Sequence, residues 1–160
     1  MNILVTGNLG YIGSVLVPLL KSQDHQVVGL DSGYFAECLL SPVDQNFKQI
    51  IKDIRDVEKS DLDGIDAVIH LAGLSNDPLG ELAPGLTEEI NLGGTMKLAL
   101  LSKQVGVKRF IYSSSQSMYG VSETDEELDE DISNKNPVTD YAKTKWDAEL
   151  QLRDLQSDSF

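Results

Sequence analysis

Basic residues, cysteine and long apolar runs are all scarce in this 160-residue chain. Lys and Arg number 13 against 26 Asp and Glu, for a formal net charge of −13. Nucleic acids and anionic membranes are bound by basic surface that neutralises phosphate, so the composition argues against both as partners. The acidity is expected to serve solubility. The one cysteine, Cys38, cannot form a disulfide within the chain, which suits a reducing, cytoplasmic setting. Hydrophobic residues make up 41% of the chain, enough for one core, but no apolar run is long enough to span a bilayer. Met1 leads straight into an apolar stretch and leaves no room for a signal peptide. His25, His70 and Cys38 show no metal-ligand spacing, so no metal site is expected.

Glycine is what the chain has in a telling place. Gly7, Gly10 and Gly13, with Asn8, Leu9, Tyr11 and Ile12 between them, follow the apolar run Ile3-Leu4-Val5. A strand that runs into glycines spaced by three and then into a helical pattern makes a site for a dinucleotide pyrophosphate. The glycines allow a tight turn, close approach of backbone to phosphate, and close packing of helix on strand. The helix that follows aims its free N–H groups and positive dipole end at the anion.

Short β-rich runs alternate with longer helical ones along the chain, the pattern of a parallel sheet with helices on both faces. Strands are predicted near Asn2–Thr6, Gln26–Leu30, Lys48–Lys52, Ala67–Leu71 and Arg109–Ser113. The first helix carries Ile12, Val15, Leu16, Leu19 and Leu20 at helical spacing, with a kink expected at Pro18. A second long helix is expected over Thr87–Gln104 with Thr87 as N-cap, and a last one over Thr139–Leu155. The acidic stretch Glu123–Asp131 has few apolar partners and suits a solvated loop.

Asp31 ends the second strand, where an acidic side chain can accept hydrogen bonds from the adenosine ribose hydroxyls; a turn role is the alternative. A carboxylate there repels the 2′-phosphate of NADP, and no Lys or Arg lies between Ser32 and Phe47 to offset it, so NAD is the expected cofactor. Asp53 and Ile54 follow the third strand where adenine would lie, Asp53 to bond the exocyclic amine and Ile54 to pack on the ring. Leu71, Ala72 and Gly73 end the fourth strand with small residues that let backbone pass close to the cofactor, and His70 before them fits a core-edge histidine better than a catalyst.

Tyr141 alone among the tyrosines has a lysine four residues later, Lys145, which a helix places on the same face. A phenol titrates near pH 10 and needs nearby positive charge to act as a base at neutral pH; an ammonium one turn away supplies it. Ser113, Ser114 and Ser115 end the fifth strand, at the end of the sheet where ligands bind, and a serine there can share a substrate hydroxyl's proton or merely satisfy a turn.

Taken together these segments resemble the N-terminal part of an extended short-chain dehydrogenase/reductase, the NAD-dependent epimerase/dehydratase family that acts on nucleotide sugars. Thr6 to Gly13 is similar to its phosphate loop, Asp31 to its ribose acid, His70-Leu71-Ala72-Gly73 to its fourth-strand motif, Tyr112 to Gly120 to its serine segment, and Tyr141 to Lys145 to its Tyr-Lys motif. The resemblance implies an α/β fold, a Rossmann-type doubly wound parallel sheet of about five strands in the order 3-2-1-4-5. It implies Ser115, Tyr141 and Lys145 as the catalytic set, and adds Asn91 and Ser113 to the cofactor-binding residues. Ser75, Asn76 and Gln116 are candidates to meet a substrate. Gln116 and Ser117 stand where sugar dehydratases of the family carry an Asp-Glu pair, which disfavours a dehydratase.

Family chains are about twice as long, so residues 1–160 correspond to the NAD-binding Rossmann domain, with the C-terminal substrate domain absent and the isolated chain expected to lack turnover. The leading expectation is an epimerase-type oxidoreductase that passes hydride transiently from a sugar carbon to NAD. A net reductase or dehydrogenase, or a domain that only binds NAD(H), are the alternatives. The resemblance further implies a homodimer through the helices at about 87–104 and 139–155, with Leu98, Leu101, Trp146, Leu150 and Leu152 at the interface or, alternatively, all facing the sheet.

Overall fold

Five parallel strands are laid side by side in the order β3-β2-β1-β4-β5. They are β1 (Asn2–Thr6), β2 (Gln26–Asp31), β3 (Lys48–Ile51), β4 (Ala67–His70) and β5 (Arg109–Tyr112). The computed structural model describes residues 1–38, 46–75, 77–121 and 127–160. Strand number and parallel sense are those the sequence pattern predicts, the order is the one the family resemblance implies, and each boundary lies within one residue of its expected place.

The period of two in a strand splits the apolar residues between two faces. Leu4 and Val68 join Leu30, Ile54, Val57, Leu62, Ile90, Leu98 and Val107 on one side. Ile3, Val5, Val27 and Ala67 pack with Val17 of α1 (Tyr11–Ser22) on the other. Because all strands run the same way, Thr6, Asp31, Ile51, His70 and Tyr112 emerge at one end of the sheet. The topological switch between β1 and its neighbours opens there, which is where ligands bind in such sheets.

The helices correct the sequence reading in three places. α1 runs unbroken through Pro18, and its inward residues are Gly13 and Val17. Ile12, Val15 and Leu19, expected to face the core, are more than half exposed, because Gly13 must lie against the glycine loop and that sets the rotation of the whole helix. The second long helix starts earlier than Thr87: Pro84 opens α3 (Pro84–Thr87), a π-helical segment follows over Glu88–Gly94, and α4 (Thr95–Val105) completes it. Thr87 is buried and its hydroxyl donates to the Ala83 carbonyl, so it caps nothing. A short helix α2 (Asp77–Leu82), absent from the sequence reading, precedes them.

The last helix, α5 (Asp140–Leu155), falls where expected, with the Thr139 hydroxyl accepting from the Ala142 N–H at 3.1 Å. Leu98 has no exposed surface and belongs to the core, so it cannot serve the interface for which the sequence offered it; Leu100, Val105 and Leu150 are the exposed apolar residues of α4 and α5. In the acidic stretch, the Asp129 carboxylate accepts from the Asp131 and Ile132 N–H groups, which holds its carboxyl below the usual range. Glu123, Asp125 and Glu126 lie outside the described residues.

Candidate active site

At the end of β1 the glycines are required by contact. Gly7 has φ +69°, a left-handed conformation, and a Cβ there would stand 2.7 Å from the Ala72 nitrogen. A Cβ on Gly13 would lie 2.5 Å from both the Asn8 Cα and the Gly7 carbonyl oxygen. The turn closes with the Gly10 N–H donating to the Gly7 carbonyl at 3.0 Å. The N–H groups of Tyr11, Ile12 and Gly13 precede the first bond of α1, from Ser14 N–H to the Gly10 carbonyl, so this helix end presents orphan donors to an anion. The cradle fits a pyrophosphate.

Asn8 and Leu9 are buried and support the loop from within. The Asn8 amide pairs reciprocally with Gln49 at 2.7 and 3.2 Å, passing over Gly29, where a Cβ would come within 2.6 Å of it. The Leu9 N–H donates to the Asp31 carboxylate at 3.0 Å, so this donor fastens the loop to β2. The other Asp31 oxygen accepts from the Gly33 N–H at 2.8 Å. A carboxylate has about four acceptor sites, which leaves Asp31 room for two more hydrogen bonds.

The third and fourth strands add the next two pieces. Asp53 stands beyond the end of β3 and caps a short turn; the Arg55 guanidinium beside it holds its carboxyl below the usual range. Ile54, expected to pack on adenine, turns its side chain into the core, with a Cβ on Gly94 falling only 2.8 Å from it. The reason is that the turn after Asp53 folds under the π-helical segment and carries Ile54 inward. After β4, the Asn91 amide holds Leu74 by both backbone groups, accepting from its N–H at 2.8 Å and donating to its carbonyl at 3.0 Å. A Cβ on Gly73 would meet the same amide oxygen at 2.9 Å.

A buried chain of hydrogen bonds ties these pieces together. Thr95 donates to the Asn91 carbonyl at 2.5 Å, so its oxygen must accept from His70 Nε2 at 2.8 Å. His70 Nδ1 then accepts from the Thr6 hydroxyl at 2.6 Å, and the Thr6 oxygen accepts from the Ala72 N–H at 3.3 Å. Burial pushes the His70 imidazole down to about 3, with the Lys145 charge adding to it, so it stays neutral. As expected from the sequence, His70 is a core histidine. Thr95 and Gln49, and the bond that Thr6 of the phosphate loop makes to His70, went unnoticed in sequence, because polar residues in strands and helices look alike until their partners are known.

The remaining residues gather on β5 and α5. Lys145 is buried; its ammonium donates to the Ser113 carbonyl at 2.9 Å and lies 4.7 Å from the centroid of the Tyr112 ring and 5.9 Å from that of Tyr141. Burial pushes this ammonium down to about 8. It also pushes the Tyr112 phenol up, and the Tyr112 hydroxyl has no hydrogen-bond partner among the described residues. The start of α5 is overlain by α2, whose Gly80 would carry a Cβ only 3.7 Å from that of Tyr141. The Ser115 hydroxyl accepts from the Ser117 N–H at 3.2 Å and shares a bond with the Ser117 hydroxyl at 2.8 Å. Ser115, Gln116, Met118, Tyr119, Glu130, Lys135 and Glu149 line a cavity of about 350 Å³. Glu149, one turn beyond Lys145, accepts from the Ser114 hydroxyl at 2.7 Å. Ser75 is exposed and Asn76 lies outside the described residues.

Comparison with known proteins adds identity to geometry. The model of the NAD dependent epimerase/dehydratase family matches residues 3–159. The dTDP-D-glucose 4,6-dehydratase of Mus musculus is 36% identical over 157 residues, which cover 92% of this chain and 44% of that protein. The UDP-glucose 4-epimerase of Bacillus subtilis (strain 168) is 36% identical over 170 residues, 98% of this chain and 48% of that protein. Among solved structures, a UDP-N-acetylglucosamine 4-epimerase from Methanobrevibacter ruminantium M1 has a TM-score of 0.85 at 32% identity, over 96% of this chain and 50% of that one. The chain thus spans about half the length of the curated relatives it matches. A family whose cofactor is NAD needs a strand-to-helix turn stripped of Cβ atoms, and this chain, matched along nearly its whole length, belongs to that family: the NAD dependent epimerases/dehydratases.

Proposed function

We propose that this chain is the cofactor-holding and proton-transferring part of a nucleotide-sugar epimerase. The observation that carries the reading is the Lys145 ammonium, buried within 5.9 Å of the Tyr141 ring centroid at the sheet end that also holds the glycine cradle. A cation there favours the phenolate, and Tyr141 then takes the proton of a sugar hydroxyl as general base and gives it back as general acid. The Ser115 hydroxyl, which lines the cavity beside α5, accepts and donates a hydrogen bond to the same sugar oxygen. NAD supplies, when bound, a hydride acceptor that can return what it took. Asp31 holds the adenosine ribose with its two remaining acceptor sites, and the first N–H groups of α1 hold the pyrophosphate.

Relatives of both epimerase and dehydratase description match this chain. Gln116 and Ser117 favour the epimerase, since neither side chain can serve as the carboxylic acid or carboxylate that elimination of water calls for. UDP-sugars are the proposed substrates, by analogy with the relatives. The exposed apolar residues of α4 and α5 support a homodimer formed through those helices. Incubation of a longer protein that joins this part to a substrate-binding domain with NAD⁺ and UDP-glucose, followed by separation of the UDP-hexoses, tests the reading. Appearance of the C4 epimer that disappears in Tyr141→Phe is expected; undiminished conversion by that variant would overturn the assignment of the base.

A further inference from the structure

The Asp53 carboxylate is gripped by a single neighbour. Arg55 donates to Oδ1 from its backbone N–H at 2.9 Å and from Nε at 3.1 Å, and to Oδ2 from Nη2 at 2.8 Å. With about two acceptor sites on each oxygen, Oδ1 is full and Oδ2 keeps one. The guanidinium is itself anchored. Its Nη1 donates to Glu89 at 3.1 Å, and the Lys97 ammonium donates to the Arg55 carbonyl at 2.6 Å. Glu89 belongs to the π-helical segment that also carries Asn91, the side chain that fixes Leu74 beyond the end of β4. One helical segment therefore braces the turn after β3 through Arg55 and the turn after β4 through Asn91. Seven-residue π-helical stretches are uncommon and cluster at functional sites.

We propose that Arg55 is a positioning residue for adenine recognition, holding Asp53 so that a single Oδ2 acceptor site is left for the exocyclic amine of the bound cofactor. The inference rests on the reading that Asp53 meets adenine and extends it by a residue that does not itself touch the ligand. A free carboxylate rotates about its last bond and offers its lone pairs in many directions. The fork of Nε and Nη2 removes that freedom and leaves an ordered acceptor, so the amine meets no entropy cost at the carboxylate. Arg55 also keeps the carboxyl ionised, since its bonds lower the affinity of Asp53 for a proton. Arg in place of Lys follows from the geometry: only a planar fork reaches both oxygens at once.

The test compares two ligands that differ at the amine and at the neighbouring ring nitrogen N1, which accepts in adenine and carries a hydrogen in hypoxanthine. The full chain is titrated calorimetrically with NAD⁺ and with nicotinamide hypoxanthine dinucleotide, in which a carbonyl replaces the amine. The natural sequence should prefer NAD⁺ by about tenfold, as a charge-assisted hydrogen bond warrants. Arg55→Met should bring the ratio to within about twofold of one, and Arg55→Lys should restore part of it. The change of the ratio between the natural sequence and the variant cancels both a general loss of affinity and the difference at N1, which the two proteins share. Should Arg55→Met not fold by circular dichroism, Arg55→Gln takes its place. An unchanged ratio in these variants overturns the role of Arg55 while leaving Asp53 at adenine. A rise in the ratio also overturns it, by making Arg55 a competitor of the amine. A ratio near one in the natural sequence, or no binding of either dinucleotide, overturns the reading of Asp53 and the inference with it.

Discussion

The Lys145 ammonium donates to the carbonyl oxygen of Ser113 at 2.9 Å, joining the second turn of α5 to the end of β5. A buried cation needs compensation, and here it comes from one carbonyl and the faces of two tyrosine rings. The compensation is partial, which is why burial pushes the ammonium down to about 8. A phenolate at Tyr141 would complete it. In the proposed function, the half-satisfied charge of Lys145 is the physical reason for assigning the base role to the neighbouring tyrosine.

Tyr141→Phe removes the phenol and leaves the ring. In a protein that joins this part to a substrate-binding domain, turnover should fall by about 10²–10⁴-fold, the usual weight of a general acid–base group. NAD⁺ affinity by calorimetry should stay within about threefold, because in the proposed function the phenol handles a proton while the glycine loop and Asp31 hold the cofactor.

Lys145 also makes stability depend on pH. Its folded pKa, about 8, lies below the ordinary 10.5, so between these values the unfolded chain binds more protons than the folded one. Stability should therefore rise as pH increases from about 8 to 10.5, and Lys145→Met should lose that rise. Urea denaturation at a series of pH values measures it.

His70 behaves in the same direction at the acid end. Its folded pKa of about 3 lies below the ordinary 6.5, so stability should be intact above 6.5 and decline as pH falls through that window. The slope expected from this one residue is about 1.4 kcal/mol per pH unit. In NMR titrations the His70 ring resonances should stay at neutral positions down to the pH at which the chain unfolds. A midpoint near 6.5 in the folded protein contradicts the buried tautomer chain.

NAD⁺ should bind more tightly than NADP⁺ if the Asp31 carboxylate, with oxygens 3.0 and 2.8 Å from the N–H groups of Leu9 and Gly33, stands at the adenosine ribose as proposed, where it would repel a 2′-phosphate. Asp31→Asn should narrow the gap by removing the charge and should loosen the loop that Leu9 fastens. Equal affinities in the natural sequence count against the placement.

Gly13→Ala puts a methyl 2.5 Å from the Gly7 carbonyl and the Asn8 Cα, both backbone positions that cannot swing aside. The cost should be about 1–3 kcal/mol in stability, with loss of dinucleotide binding as the loop is pushed open. Thermal denaturation with and without NAD⁺ separates the two effects.

Association through α4 and α5 has its own check. Leu150→Glu should lower the mass seen by light scattering if the exposed apolar residues of these helices meet a second copy. An unchanged mass removes that helix face from any interface.

The sequence by itself determined the sheet and the cradle. Parallel sense follows from alternating β and helical runs, since parallel neighbours need crossover helices, the strand order was the one the family resemblance implied, and Gly7 and Gly13 mark a turn that larger residues cannot make without displacing backbone. Spacing alone also put Tyr141 and Lys145 on one helical face. What the tertiary structure decided are the partners. The rotation of α1 was set by Gly13 against the Gly7 carbonyl, which overrode an apolar pattern that pointed Ile12, Val15 and Leu19 inward. Ile54 went to the core because the turn after Asp53 passes beneath Gly94. The chain of Thr6, His70, Thr95 and Asn91, and the grip of Arg55 on Asp53, join residues up to 64 positions apart. Local periodicity fixes which face a residue occupies relative to its own element; only the packing of one element on another fixes what that face meets.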